Sequence, residues 1–512
     1  MPAAFIDSAM GIESRSKKQR HFHVQVRLIC AVLFHAASVV LGATQAFAAD
    51  DIATASALQP DGRIILAGYC GSGSNTSFCA VRYGANDAID SDFGNKGRVD
   101  TQIVSGANNN ATAVIVQPDG KIVLSGYCGS SGAMSFCAAR YLPNGSLDVE
   151  FGNEGKSITP FVGTGSSYAF SAALQPDGKI ILGGECVVSS DNSDFCALRY
   201  NANGTVDQSF HGNGHVVTPI TPGGNDRAKV VLLQPDGRIV LTGFCWNGSD
   251  YDFCALRYDS NGALDLNFGS NGTVVTAITA GWYDIATTAA LQPDGKIVLA
   301  GYCFNVVSYD FCAARYDSSG ALDTAFGNGG RVLTPVTANN GYDFATAIAT
   351  QPDGKIVLAG YCIPDAGNRF CAVRYSPDGQ LDATYGSSAP GISSWGPLTA
   401  SGDNNLSTML ILKYAAIFMA GSCFDGTNLV FCRTITPNGD FSAPYSKNCS
   451  LDLDNDGQTL TTTDALIGVR IALGFTGNAV INGITFSPTA TRKTWPTIRD
   501  FLVSHCNLSL PP

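Results

Sequence analysis

Short apolar runs separated by turn residues dominate the chain, and residues 272–316 show the pattern in full. The runs GTVVTAI, KIVLAGYC and FCAARY are rich in β-branched and aromatic residues, and the run ATTAALQ alternates small and apolar residues. Pro293, Asp294 and Gly295 separate two of these runs and favour a tight turn. Runs of this length and composition, bounded by turn residues, predict four short β-strands in this unit.

The unit recurs with a period of 58 or 59 residues. A seventh copy, KYAAIFMAGSC, has Lys413 where the turn proline would lie. A strict period with four strands in each unit predicts an all-β protein, a seven-bladed β-propeller with four-stranded blades. A solenoid and a pair of sandwiches are the alternatives, but solenoid coils are usually shorter and sandwiches lack so strict a period. The six intact turns have Pro60, Pro118, Pro176, Pro235, Pro293 and Pro352.

The repeated sequence QPDGKIVLAGYC, followed by FCALRY, an NG turn and LDxxFG, resembles the delta-60 repeat of bacterial secreted proteins. The resemblance covers about residues 50–440 and implies a β-propeller-like array. It implies almost nothing about activity.

Cysteine is abundant, with 17 residues in the chain, and 14 of these form seven pairs that recur with the repeat. Cys30 lies in an N-terminal segment that we expect to be removed, so the mature chain keeps an even number. In an exported chain this predicts disulfides, each worth about 2–3 kcal/mol. Zinc is the weaker alternative because no pair has a second Cys or His pair nearby. The predicted disulfides are Cys70–Cys79, Cys128–Cys137, Cys186–Cys196, Cys245–Cys254, Cys303–Cys312, Cys362–Cys371, Cys423–Cys432 and Cys449–Cys506.

One arginine and one aspartate also recur in six units, and both are lost together in the seventh, where Ile435 and Ser442 occupy their places. Joint loss predicts a structural ion pair within each unit rather than a catalytic residue. The arginines are Arg82, Arg140, Arg199, Arg257, Arg315 and Arg374, and the aspartates are Asp90, Asp148, Asp207, Asp265, Asp323 and Asp382.

Variation among the units is confined to two sets of loops, those between the paired cysteines and those that precede the second strand of each unit. Antiparallel order places both sets on one face of the disc. Relaxed selection on exposed loops is one explanation, and a recognition face rich in Ser, Gly, Asn and aromatic residues is the other. The candidate ligand-binding residues are Trp246, Tyr251, Trp282, Tyr283, Phe304, Tyr309 and Phe424.

The N-terminus has the pattern of a signal peptide: five basic residues, an apolar run at residues 28–42, and the cleavage signal Ala46-Phe47-Ala48. A membrane anchor is the alternative, but the run is shorter than the roughly 20 residues that span a bilayer. Removal of residues 1–48 leaves 26 basic and 40 acidic residues, a net charge of −14. Such a charge argues against nucleic-acid binding. We expect a secreted or periplasmic bacterial protein with a repeat domain at 49–445 and a module at 446–512.

The C-terminal module contains the sequence DLDNDGQTLTTTD, which has alternating carboxylates before an apolar helical run. This stretch resembles one half of a dockerin type I or EF-hand-like calcium loop, although Thr463 stands where the last acidic ligand would be. The resemblance implies calcium as a cofactor. A full dockerin has two loops, and the absence of a second loop gives little reason to expect a cohesin partner. The implied ligands are Asp452, Asp454, Asp456, Gln458 and Asp464.

The sequence has no motif that joins a nucleophile to its base, no phosphate-binding loop and no His-rich metal site. It therefore favours a non-enzymatic binding, adhesion or scaffold protein for an extracellular glycan or protein. A secreted hydrolase or lyase that acts on polysaccharide is the alternative. A surface-layer or assembly protein is a third hypothesis.

Overall fold

The fold is a ring of antiparallel β-sheets, seen in a computed structural model of the chain. Six sheets have four strands each, and we call them the first to sixth blades. The structure describes residues 51–73, 75–84, 88–130, 132–161, 165–189, 192–337, 341–364, 368–386, 389–394, 404–411, 417–424, 429–436, 491 and 493–506.

The first three blades follow one another along the chain, and each is a four-stranded antiparallel meander. The first contains β1 (Asp51–Leu58), β2 (Ile64–Ser72), β3 (Asn75–Tyr83) and β4 (Arg98–Thr101). The second contains β5 (Asn108–Val116), β6 (Ile122–Ser130), β7 (Ala133–Tyr141) and β8 (Lys156–Thr159). The third contains β9 (Ser167–Leu174), β10 (Ile180–Ser189), β11 (Asn192–Tyr200) and β12 (His215–Thr218).

The next three blades have the same order of strands. The fourth contains β13 (Asp226–Leu233), β14 (Ile239–Trp246), β15 (Tyr251–Tyr258) and β16 (Thr273–Thr276). The fifth contains β17 (Asp284–Leu291), β18 (Ile297–Phe304), β19 (Tyr309–Tyr316) and β20 (Arg331–Thr334). The sixth contains β21 (Tyr342–Thr350), β22 (Ile356–Ile363), β23 (Arg369–Tyr375) and β24 (Ile392–Ser394).

In the described residues a seventh sheet has three strands, β25 (Asn404–Ile411), β26 (Ile417–Phe424) and β27 (Leu429–Thr436). It lies between the sixth and first blades, because β25 contacts both β21 and β1. The prediction of seven four-stranded blades was therefore wrong: the structure has six such blades, and the degenerate copy forms this smaller sheet.

The predicted unit also began one strand too early. The run GTVVT, which we placed first in its unit, is the outer strand of the preceding blade, where Thr276 pairs with Phe253. Alternation of apolar and polar residues identifies a strand but not the neighbour with which it pairs, so the sequence left this boundary undetermined.

Helix is nearly absent from the described residues, whose one helix is α1 (Trp495–Cys506). The fold prediction included a small helical calcium-loop module at 446–512, but residues 446–490 lie outside the described part of the chain, as do residues 1–48. The module and the signal peptide remain predictions.

Apolar side chains pack between neighbouring blades. Ile65 and Phe78 of the first blade share a core with Ile122, Leu124 and Tyr141 of the second, and each is at most 1% exposed. Burial of such a side chain contributes about 1.5–3 kcal/mol. The run IVLAG is continuously apolar because both faces of its sheet are covered.

The residue two positions before the first cysteine of each disulfide must be glycine, because a β-bulge in the innermost strand lies against it. In the first blade the register shifts between Ala53 and Ala55, and a Cβ on Gly68 would lie 1.8 Å from the carbonyl oxygen of Ile52. The bulged residue, Thr54, donates a hydrogen bond to the carbonyl oxygen of Ala111 in the next blade (2.8 Å). Thr112, Thr287 and Thr346 make the same inter-blade bond at 2.6–2.9 Å. Only glycine fits opposite such a bulge.

The recurring ion pair is confirmed and lies at the end of the blades that contains the PDG turns, which we call the lower face. Arg257 Nη2 lies 2.8 Å from the carboxylate of Asp265, and the guanidinium stacks 4.7 Å from the ring of Phe268. It also donates to the carbonyl oxygen of Ser318 in the next blade. Equivalent pairs in the other five blades have N–O distances of 2.7–2.8 Å. The pair thus joins a blade to its neighbour.

Candidate functional site

The opposite end of the ring, which we call the upper face, contains the loops that join the second strand to the third and each blade to the next. These are the two variable sets identified in the sequence. Six disulfides lie just below them.

Each disulfide joins the ends of a hairpin at Cα–Cα distances of 5.7–6.0 Å. The partners are diagonal rather than opposite: Cys303 faces Asp310, and Cys312 faces Gly301. These two cysteines are fully buried in a cluster that includes Phe253 of the preceding blade. The repeated Phe before the second cysteine therefore covers the next blade's disulfide. The bonded pairs are Cys70–Cys79, Cys128–Cys137, Cys186–Cys196, Cys245–Cys254, Cys303–Cys312 and Cys362–Cys371.

The remaining predicted disulfides are not described by the structure. The side chains of Cys423, Cys432 and Cys506 and the whole of Cys449 lie outside the described part, so Cys423–Cys432 and Cys449–Cys506 remain predictions.

In the fourth, fifth and sixth blades a buried carboxylate at the start of the inner strand fixes the loop that precedes it. Oδ2 of Asp284 accepts hydrogen bonds from the backbone N–H groups of Ile278 (2.6 Å) and Thr279 (2.9 Å), and its side chain is inaccessible to solvent. Asp226 and Asp343 hold their loops in the same way, and Asn109 does so in the second blade. The hairpin loops of the upper face are therefore closed by disulfides, and the loops between these blades are held by buried polar side chains.

These carboxylates titrate above their usual range. Burial, reinforced by the negative charge of Asp252, raises the pKa of Asp284 to about 6 despite the N–H donors. Burial and the nearby Asp310 raise the pKa of Asp343 to about 6 in the same way. Burial and Asp226 raise the pKa of Asp194 to about 6. The upper half of the third to sixth blades thus contains carboxylates that are costly to ionise.

Aromatic side chains form two groups of ring contacts on the upper half of the fourth, fifth and sixth blades, and the groups meet at the consecutive residues Trp282 and Tyr283. We call the two groups together the aromatic arc. The structure brings together six of the seven candidates predicted from the sequence, with ring centroids 5.1–5.8 Å apart. The seventh, Phe424, has a side chain outside the described part. The contacts join Trp246 to Tyr251, Tyr251 to Tyr283, Trp282 to Phe304, and Phe304 to Tyr309.

Sequence reasoning missed five members of the arc. Tyr309 contacts Tyr302, Tyr342 and Phe344 at 5.3–6.1 Å, Tyr361 extends the group, and Phe244 contacts Tyr251. Phe244, Tyr302 and Tyr361 each precede the first cysteine of a pair, so their recurrence was visible in the sequence. Their place in the arc was not, because it depends on contacts between blades. Trp282, Tyr283 and Tyr342 remain 41–44% exposed and are available to a ligand.

The tip of the fifth-blade loop carries a strained residue beside this surface. Val306 has φ 83° and is 60% exposed. The same turn in the fourth blade has Gly248, with φ 105°, at that position. In both turns the preceding asparagine accepts backbone hydrogen bonds through its side chain. A β-branched residue in this region of φ costs about 1–3 kcal/mol, and such strain is typical of functional sites.

In the part of the chain that the structure describes, no cluster of three or more His, Cys, Asp or Glu residues is arranged to hold a metal ion. The predicted calcium ligands Asp452, Asp454, Asp456, Gln458 and Asp464 lie outside that part. Among the described residues, no helix is both long and apolar enough to cross a membrane.

Six segments of the chain match the family described as "Domain of unknown function (DUF5122) beta-propeller", at residues 59–93, 117–151, 175–210, 234–268, 292–326 and 351–385. Each runs from the glutamine of the PDG turn to the aromatic residue of the LDxxF motif, so each lies within one four-stranded blade. The match supports a family of β-propeller repeats, while the delta-60 name stays a prediction. No curated protein matches the chain.

Several solved structures resemble the fold at low sequence identity. A protein of unknown function from Dyadobacter fermentans is 12% identical, with 64% of this chain and 93% of that one covered and a TM-score of 0.38. Chaetomium thermophilum Sqt1, solved with the N-terminus of ribosomal protein L10, is 13% identical, with coverage of 73% and 82% and a TM-score of 0.41. The polysaccharide lyase Uly1 is 13% identical, with coverage of 67% and 85% and a TM-score of 0.35. Similarities this distant carry no functional argument.

Proposed function

We propose that the protein is an exported, non-enzymatic binding protein that holds an extended extracellular glycan across the aromatic arc. The observation that carries the proposal is a pair of ring-contact series, Trp246 to Tyr283 and Trp282 to Tyr361, that meet at two consecutive residues. Three of these rings are two-fifths exposed. Sugar rings present C–H faces that pack on aromatic rings, and an elongated aromatic surface suits a chain of them.

Rigidity of the upper face supports the same role. Disulfides close the hairpins below the loops, and buried carboxylates anchor the loops between blades. A surface that is ordered before binding loses little conformational entropy when a ligand arrives. The aspartates that anchor these loops, Asp226, Asp284 and Asp343, are inaccessible to solvent and accept backbone N–H bonds through Oδ2, so they do not supply the exposed acid–base pair that a glycosidase requires.

Disulfides are typical of an oxidising compartment outside the cytosol, which supports export. We extend the proposal to a cleaved signal peptide at residues 1–48 and to a C-terminal module stabilised by calcium through Asp452, Asp454 and Asp456. Calorimetric titration of the mature protein with calcium tests the module. We expect a heat of binding from the wild type that is absent from Asp452→Ala. No heat of binding from the wild type would contradict the module.

A glycan and peptide array probed with mature protein, residues 49–512, tests the binding role. We expect glycan binding that Trp282→Ala and Tyr342→Ala weaken at least tenfold. Leu266→Ala is the matched control, because Leu266 is 64% exposed in the LDxxF motif of the lower face. Binding to peptides alone, or equal losses with Leu266→Ala, would overturn the proposal. Release of new reducing or unsaturated sugar ends from a bound polysaccharide would show that the protein is an enzyme.

A further inference from the structure

Two inner-strand positions depart from the repeat in the third and fourth blades. The bulged residue is threonine in the first, second, fifth and sixth blades, where it bonds to the next blade. In the third blade it is Phe170, and in the fourth it is Lys229. The four sister blades show that the fold does not require a phenylalanine or a lysine here. The change also removes an inter-blade hydrogen bond that is worth about 1 kcal/mol elsewhere in the ring.

Lys229 occupies an apolar cradle. Its Nζ lies 3.7 Å from the ring centroid of Phe170 and 5.7 Å from that of Phe244. Within the described residues no carboxylate or other acceptor lies within bonding distance of this ammonium group. A cation is attracted to the face of an aromatic ring, but the ring supplies no hydrogen-bond acceptor for the three N–H groups of the ammonium.

The neighbouring charges leave the ammonium group without a counter-charge of its own. Glu185 of the third blade is paired with Arg227, whose Nε lies 3.2 Å from the carboxylate. Burial lowers the pKa of Lys229 to about 8, with Glu185 favouring the charged form and Arg227 opposing it. Tyr168, which lies on the same strand as Phe170, adds a phenol to this region. The cluster therefore carries one net positive charge that lacks a bonded anion.

Arg227 also departs from the repeat, since Ile52 and Ile285 hold the equivalent place in the first and fifth blades. Its side chain is 44% exposed although it is paired. Arg227 lies at the upper end of β13 and Lys229 two residues further along the strand, and Phe244 links Lys229 to the aromatic arc through Tyr251. A ligand lying along the arc would reach these two cations at its fourth-blade end.

We propose that Arg227 and Lys229, walled by Phe170 and Phe244, bind the carboxylate of an acidic sugar, a uronate, within a glycan held on the arc. The inference rests on the proposed function and specifies its ligand class. A carboxylate supplies the acceptors that the ammonium group lacks and pairs with the outward side of the guanidinium. The pyranose ring that carries the carboxylate packs against the two phenyl rings.

Calorimetry with the mature protein tests the inference, with a galacturonate oligosaccharide and its methyl ester as probes. The ester has the same sugar ring without the charge. We expect the acid to bind at least tenfold more tightly than the ester. At pH 8 binding of the acid should take up part of a proton, because a bound carboxylate raises the pKa of Lys229. Above this pH the affinity for the acid should weaken, towards about tenfold per pH unit, while the affinity for the ester stays constant.

Lys229→Thr is the decisive variant because it restores the residue of the sister blades. It should lower the preference for the acid at least fivefold, to what Arg227 alone supplies, and abolish proton uptake, while the thermal midpoint stays the same or rises. Lys156→Met, on the outer strand β8, is the control and should change nothing in binding. If Lys229→Thr retains the full preference for the acid, or if the acid and ester bind wild type equally, the uronate site is wrong and the glycan role survives. If neither probe nor any neutral glycan binds, both proposals fail.

Discussion

Replacement of the buried Asp284 by asparagine should stabilise the protein at neutral pH. Its side chain is inaccessible to solvent, and burial and Asp252 raise its pKa to about 6. An aspartate in an unfolded chain has a pKa of about 3.9, so the difference of about two units corresponds to about 3 kcal/mol. Because the folded pKa is raised, the carboxyl group's contribution is fully favourable below pH 4 and is lost as pH rises through 6.

The substitution keeps the structural role of this residue. Asn109 already fixes the equivalent loop of the second blade, where Oδ1 accepts from the N–H groups of Ile103 (3.1 Å) and Val104 (2.7 Å). An asparagine at 284 can accept the same two bonds without a charge that must be desolvated. Less favourable donor geometry should cost about 1 kcal/mol at either pH, so we expect a gain of about 2 kcal/mol at pH 7 and no gain at pH 4.

Guanidinium unfolding of the mature protein, with its disulfides intact, measures the difference at the two pH values. Equal gains at pH 7 and pH 4 would show that ionisation is not the cause. A loss of stability at pH 7 would show that the charged form is the one the loop requires, and the reasoning would fail.

Three further predictions test other parts of the fold. Asp382→Asn should lower the free energy of unfolding, because hydrogen bonds and Arg374 lower the pKa of Asp382 to about 2. The loss should be about 2–3 kcal/mol at pH 7 and under about 1 kcal/mol at pH 2, measured by the same unfolding method. Val306→Gly should raise the free energy of unfolding by about 1 kcal/mol because the strain at φ 83° outweighs the added chain entropy, and an unchanged or lower value would contradict this. Paired replacement of Cys303 and Cys312 by alanine should lower stability by about 2–3 kcal/mol, and a thermal midpoint equal to wild type would refute it.

Local and repeated features could be predicted from the sequence. The strand IVLAG, the PDG turn and the ion pair between Arg315 and Asp323 recur at fixed spacing, so each is a short-range pattern observed several times. Disulfides followed from the even cysteine count and the hairpin spacing. The number of four-stranded blades did not follow, because the outer strand of one blade and the inner strand of the next are separated only by a loop.

Contacts between blades could not be predicted from the sequence. Asp284 and Asp343 are separated from their loop partners by only five to seven residues, yet nothing local distinguishes a buried capping carboxylate from a solvated loop residue. Phe344 joins the arc through Tyr302 on another blade, 42 residues away in the chain. Lys229 contacts Phe170 across a blade boundary, and only the ring geometry brings the two together.

The repeated blades act as an internal control for deciding which side chains serve the fold. The lower face has the same arginine–aspartate pair in six blades, and in the first five the arginine donates to a carbonyl oxygen of the next blade, as a purely structural device should. Val306 and Lys229 behave differently, because each replaces a residue that a sister blade accommodates at lower cost, glycine in one case and threonine in the other. A strained valine tip and a desolvated lysine both reduce stability, and both flank the aromatic arc of the upper face. His211 also replaces a glycine of its sister blades, at φ 50° on the lower face, so backbone strain alone does not mark a binding site. The aromatic arc, with a cation that lacks a bonded anion at its fourth-blade end, is therefore the strongest physical reason to place function on the upper half of the third to sixth blades.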